Sequence, residues 1–74
     1  MADMKVDRQL ITLDGVDYEL HVRQELDAFY GASFCRTCWS GVVRYDLLPT
    51  AADAMELAGR LAREHHATDH RHTA

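Results

Sequence analysis

Three observations predict an α+β domain made of two antiparallel β-hairpins followed by one C-terminal α-helix. Asp14-Gly15 stands between two alternating apolar runs. A Cys-x2-Cys turn stands between two further runs. An alanine-rich stretch with helical periodicity follows the only proline, Pro49. At 74 residues the chain has room for a single domain, 1–74, with an N-terminal hairpin over 9–23 and a second hairpin plus helix over 29–72.

The first hairpin follows from agreement between turn chemistry and register. Asp-Gly suits a two-residue type I′ loop, which places Leu13 opposite Val16 and Ile11 opposite Tyr18. With Leu20 and Val22 continuing the alternation, one face of the hairpin is apolar and His21 falls on the polar side. Gln24 to Ala28 reads as a polar connection without a defined form. Phe29 to Phe34 reads as a third strand broken by Gly31, and it leads directly into Cys35-Arg36-Thr37-Cys38. Trp39-Ser40-Gly41 closes that turn, and Val42 to Leu47 reads as a fourth strand ended by Pro49, which cannot donate to a ladder.

Thr50 is a good N-cap, and Asp53 places a negative charge in the first turn, where the helix dipole favours it. The helix is expected to run to about His66. Ala51, Ala54, Met55, Ala58, Leu61, Ala62 and His65 share one face, with Glu56, Arg60, Arg63 and Glu64 on the other. Gly59 inside this helix costs about 1 kcal/mol relative to Ala.

The cysteines and the C-terminal histidines form the most informative group. A Cys-x2-Cys pair with histidines four or five apart supplies the soft and borderline ligands of a tetrahedral Zn²⁺ site. Scaffolds below roughly 70–80 residues also depend on disulfides, a metal or a partner chain for stability. The gap of 26 residues between Cys38 and His65 can close. A strand over 42–48 travels ~23 Å outward. A helix over 51–65 returns ~21 Å. An antiparallel helix therefore ends beside the cysteines. His65 lies in the middle of the apolar face and is aimed inward, so the expected ligands are Cys35, Cys38, His65 and His70. His66, about 100° further round, is the substitute ligand, and His72 belongs to the tail.

Phe34-Cys35-Arg36-Thr37-Cys38-Trp39-Ser40-Gly41, followed by the alanine-rich helix through Ala58 and Ala62 to His65 and His70, resembles a Cys-Cys-His-His zinc finger of the ββα kind. It is similar in particular to short bacterial versions in which Trp and Gly follow Cys-x2-Cys. The resemblance covers about Phe29 to His72. The chain differs from the common finger in its longer Cys-to-His spacing and its added N-terminal hairpin. Membership in that group would imply contacts with nucleic acid or protein.

Composition narrows the function classes. The formal net charge of −4, from 12 acidic and 8 basic residues, opposes non-specific nucleic-acid binding, which needs Lys and Arg to neutralise phosphates. The start of the helix carries Asp53 and Glu56 where a finger would read bases. Arg36, Arg44, Arg60 and Arg63 are the residues available for a nucleic-acid contact, with Trp39, Tyr45 and Tyr30 for stacking or, more simply, for core packing. No apolar run near Met1 resembles a signal peptide and no segment reaches membrane-spanning length, so a cytoplasmic protein is expected. In that compartment Cys-x2-Cys points to a metal or redox element rather than a disulfide. A thioredoxin-type dithiol is disfavoured because no helix starts at Cys38.

Catalytic zinc, with Glu64 cast as base, would need a substrate pocket of ~300–1,000 Å³, which leaves little room in so short a chain. Asp14/Asp17 and Glu25/Asp27 read as turn and surface carboxylates. The expectation is a non-enzymatic zinc-finger-like module with a structural site and no small-molecule substrate, binding a protein partner or a second copy of itself. The alternative is a nucleic-acid-binding finger that acts like a transcription regulator.

Overall fold

A computed structural model of the chain describes residues 4–69. Four strands, β1 (Met4–Leu13), β2 (Val16–Glu25), β3 (Ala28–Cys35) and β4 (Ser40–Leu48), are followed by one helix, α1 (Ala51–Asp69). All neighbours pair antiparallel in the order β1-β2-β3-β4. The α+β class and the strand-then-helix order match expectation. The two hairpins are not separate, however, because β2 also pairs with β3 along eight residues, from Tyr18 opposite Cys35 to Glu25 opposite Ala28. One meander results.

The first turn forms as its chemistry requires. Asp14 and Gly15 both have positive φ, 50° and 82°, and Leu13 pairs with Val16 and Ile11 with Tyr18. The segment without an expected form is a second tight turn over Leu26-Asp27. Leu26 adopts a left-handed φ of 56°, which is costly for a bulky residue, and the Gln24 side-chain amide donates to its carbonyl at 3.0 Å. Strands β2 and β3 therefore extend to the turn itself.

α1 is capped as the sequence indicates. The Asp53 amide donates to Thr50 Oγ1 at 3.1 Å, and the Ala54 amide donates to the Thr50 carbonyl at 3.2 Å. The helix packs chiefly on β3 and β2. Its buried residues are Ala54, Leu57, Ala58, Gly59, Leu61 and Ala62, so the apolar face also takes in Leu57, one position beyond the expected stripe. Tyr18, Leu20, Cys35, Ala58 and Ala62 form the central cluster, and Ile11, Leu13, Val16 and Met55 close over it.

Gly31 does not break β3. It seats the helix. A Cβ there would clash with the Ala54 carbonyl oxygen and lie 3.2 Å from the Ala58 amide nitrogen, contacts that no side-chain rotation can relieve. The opposite sheet face carries Glu19, His21, Ala32, Phe34 and Val43, and among the described residues no helix lies over it. Among the described residues no helix is long and apolar enough to cross a membrane.

The close seat makes opposite predictions for two glycines. Gly31→Ala forces helix and strand apart and is expected to cost about 1–3 kcal/mol, as overpacking does. At Gly59 a Cβ would meet the flexible Arg63 tip at 3.2 Å and Leu20 Cδ1 at an ordinary 3.9 Å, so Gly59→Ala is expected to be neutral or to stabilise by up to about 1 kcal/mol. Urea unfolding midpoints of the two variants measure this. A Gly31→Ala midpoint equal to that of the parent would remove the close approach as a constraint.

Candidate metal centre

The site is built from the end of β3, the turn after it and the last turns of α1. Cys35 is the final residue of β3 and is buried, whereas Cys38 is exposed in the turn. Three hydrogen bonds donated by main-chain amides shape the knuckle. The Trp39 amide donates to the Cys35 carbonyl at 2.8 Å, the Arg36 amide to the Asp17 carbonyl at 3.1 Å, and the Cys38 amide to Cys35 Sγ at 3.3 Å. Trp39 leaves the turn with a φ of 57°. The last of these bonds aims a main-chain donor at the Cys35 sulfur.

α1 delivers His65 to this knuckle. One ligand atom from each of Cys35, Cys38 and His65 lies within 4.8 Å of the others. In a tetrahedral zinc site the same atoms stand about 3.5–3.8 Å apart, given Zn–S near 2.3 Å and Zn–N near 2.0–2.1 Å. The cluster therefore needs to contract by up to about an ångström to hold an ion. His65 Nδ1 is 3.1 Å from Asp69 Oδ2, one turn on. A carboxylate on one ring nitrogen fixes the imidazole and directs its other nitrogen to a metal, the usual outer partner of a ligating histidine.

His66 occupies a different set of contacts. Its Nδ1 is 3.0 Å from the Tyr18 hydroxyl and its Nε2 is 2.9 Å from Asp14 Oδ2. Both rings flank Tyr18 edge-on, with centroids 5.9 Å away. His70 and His72 lie outside the described residues. Of the arginines proposed for nucleic acid, Arg36 is 3.7 Å from Glu19 and Arg44 is 3.8 Å from Asp46, and Arg60 and Arg63 are exposed on α1.

The electrostatics are those of a site short of positive charge. The Cys38 thiol is pushed up by desolvation first, then by its hydrogen bond with Cys35 and the negative charge of Cys35 and Asp69. Tyr18, fully buried, is pushed from 10.0 to about 12, mainly by burial, with further contributions from the Cys35 and Cys38 charges, a hydrogen bond with Cys35 and the Asp69 charge. A divalent cation reverses these terms, since it stabilises thiolates outright.

Tyr18, Asp14 and Asp69 were not anticipated as site residues. A signal for Tyr18 existed. A two-residue turn at 26–27 pairs residues whose numbers sum to 53, which sets Tyr18 opposite Cys35. Comparison with known protein families, curated proteins and solved structures finds no match to this chain.

The Tyr18 shift sets a pH dependence for the metal-free protein. The unfolded phenol loses its proton near 10 and the folded one near 12, so between those values the unfolded state has shed more protons. Stability is thus intact below about pH 10 and falls as pH rises through that interval. Tyr18→Phe is expected to remove this share of the alkaline loss in denaturant titrations across pH 9–12. Parallel losses in parent and variant would show that Tyr18 is not the group responsible.

Proposed function

We propose that this chain is a small non-enzymatic module whose structure is stapled by one Zn²⁺, with Cys35, Cys38 and His65 as ligands and His70 as the fourth. The convergence of two sulfurs and one imidazole nitrogen within 4.8 Å carries this reading. Two cysteines and a carboxylate-backed histidine suit zinc better than calcium or magnesium, which take oxygen ligands. The groove beside the site, about 250 Å³ and lined by Val42, Arg44, His65 and Asp69 among others, is smaller than typical small-molecule pockets. That supports a structural role for the metal.

A protein surface, either a partner's or a second copy's, is the proposed target. The open sheet face supports it. Trp39 is 75% exposed and Tyr45 68%, with Leu47 and Val43 also exposed beside them. A recess of about 410 Å³ lies between Phe34, Trp39 and Val43, and exposed apolar and aromatic surface of this kind suits contact with another protein. The pairing of Arg36 with Glu19 and of Arg44 with Asp46 weakens the alternative of phosphate binding.

The full chain is expected to bind one zinc. Cys35→Ser, Cys38→Ser or His65→Ala should abolish tight binding and the folding of the C-terminal half, because the metal's apparent binding energy in such sites, about 10–16 kcal/mol, is largely folding energy. His66→Ala should keep the metal, since its partners are Tyr18 and Asp14. An NMR spectrum unchanged by chelator would overturn the zinc reading. Duplex DNA or structured RNA bound below micromolar concentration and weakened ~10³-fold between 50 and 200 mM salt would replace the protein target with nucleic acid.

A further inference from the structure

One buried side chain in the core does more than fill space. Tyr18 is fully buried on the helix side of β2, directly opposite Cys35 in the register, and its hydroxyl is hydrogen-bonded with Cys35. The same oxygen lies 3.0 Å from His66 Nδ1, and His66 Nε2 lies 2.9 Å from Asp14 Oδ2 in the β1–β2 turn. A row of polar groups thus runs from an exposed carboxylate, through an imidazole and a phenol, to the sulfur of the buried cysteine.

We infer that Tyr18 is a positioning residue for the metal centre. Its hydroxyl donates to the Cys35 thiolate, and His66 and Asp14 orient it. This rests on the zinc reading above and adds a residue to that same site. The chemistry follows from the donor inventory. A thiolate only accepts, so toward a metal-bound Cys35 the hydroxyl must be the donor. In that arrangement the Tyr18 oxygen accepts from His66 Nδ1–H, and a ring that donates from Nε2 to Asp14 as well is the imidazolium form.

Cys35 Sγ then receives two donors, the Cys38 amide at 3.3 Å and the phenol, from opposite elements of the fold. Two donors on one sulfur hold its lone pairs in a fixed direction, and a buried thiolate leans on such bonds because water cannot reach it. Core packing alone explains the ring of Tyr18 but not a hydroxyl that connects cysteine to histidine. A phenylalanine would fill the same volume without a buried oxygen to satisfy.

The test uses the full chain loaded with Co²⁺ or Zn²⁺ and compares Tyr18→Phe with Tyr30→Phe, the same chemical change at another buried tyrosine. Loss of an outer-shell partner typically weakens metal binding 10–100-fold, and Tyr18→Phe is expected to fall in that range. The sulfur-to-cobalt charge-transfer band should move to longer wavelength, because a thiolate that loses a hydrogen bond gives up electrons more readily. Tyr30→Phe should leave both readouts unchanged. A purely structural role for Tyr18 would not move the band.

Should Tyr18→Phe fail to fold, the parent chain loaded with ¹¹³Cd supplies a second measurement. The Tyr18 hydroxyl proton should exchange slowly and show scalar coupling to cadmium through the Cys35 sulfur. A parent chain that binds metal while the variant shows equal affinity and an unmoved band, or a hydroxyl without coupling, overturns the role of Tyr18 and leaves the zinc reading standing. A parent chain that binds no metal overturns both.

Discussion

The contact between Gly31 and the Ala54–Ala58 stretch of α1 fixes the position of everything else. With no Cβ at Gly31 and only methyl groups at 54 and 58, helix and strand approach until main-chain atoms meet. The approach also works as a ruler. From Gly31 to Cys35, four strand residues advance ~13 Å. From the middle of the Ala54–Ala58 stretch to His65, nine helical residues advance ~13.5 Å. Helix and strand run side by side in the same direction, so a seat at one end brings imidazole and thiol together at the other. A bulkier residue at the seat would spoil the site from two turns away, without touching a ligand.

Much of this arrangement was legible because local chemistry and register agreed. Asp14-Gly15 specified the first turn and thereby the Ile11–Tyr18 pair, and Thr50 specified the start of the helix. Equal outward and return lengths of β4 and α1 brought His65 to the cysteines without tertiary information. Two features were hidden. Leu26 is among the residues least suited to a left-handed φ, so nothing in Gln24 to Ala28 announced a tight turn. The β2–β3 pairing was lost with it, and with that pairing the proximity of Tyr18 to Cys35. Gly31 was misleading in the opposite way. A glycine inside a strand ordinarily weakens it, and only the presence of a helix explains why one is required there.

The cluster around Cys35 illustrates how a small chain uses polar groups it cannot leave unsatisfied. A core centred on Tyr18, Leu20, Cys35, Ala58 and Ala62 contains a phenol and a thiol among few large apolar side chains. Burying either without partners would destabilise the fold. Here each is satisfied through the other. The phenol meets the sulfur, His66 meets the phenol, and Asp14 ties that histidine to the first turn. The β1–β2 hairpin is thus joined to the helix end by more than apolar contact.

Strand alternation gives the knuckle two outputs. Cys35 points to the helix side and the preceding Phe34 points to the open face, while Trp39 follows Cys38 directly. The Trp39 amide bond to the Cys35 carbonyl holds the turn that gives Trp39 its left-handed φ. The Trp39 ring packs edge-on against Phe34 at 5.1 Å. The aromatic pair bordering the open recess is therefore held by the same few residues that bring two sulfurs toward His65. The packing of the Cys35, Cys38 and His65 cluster on one side and the shape of the exposed aromatic surface on the other are thus set by one turn of chain.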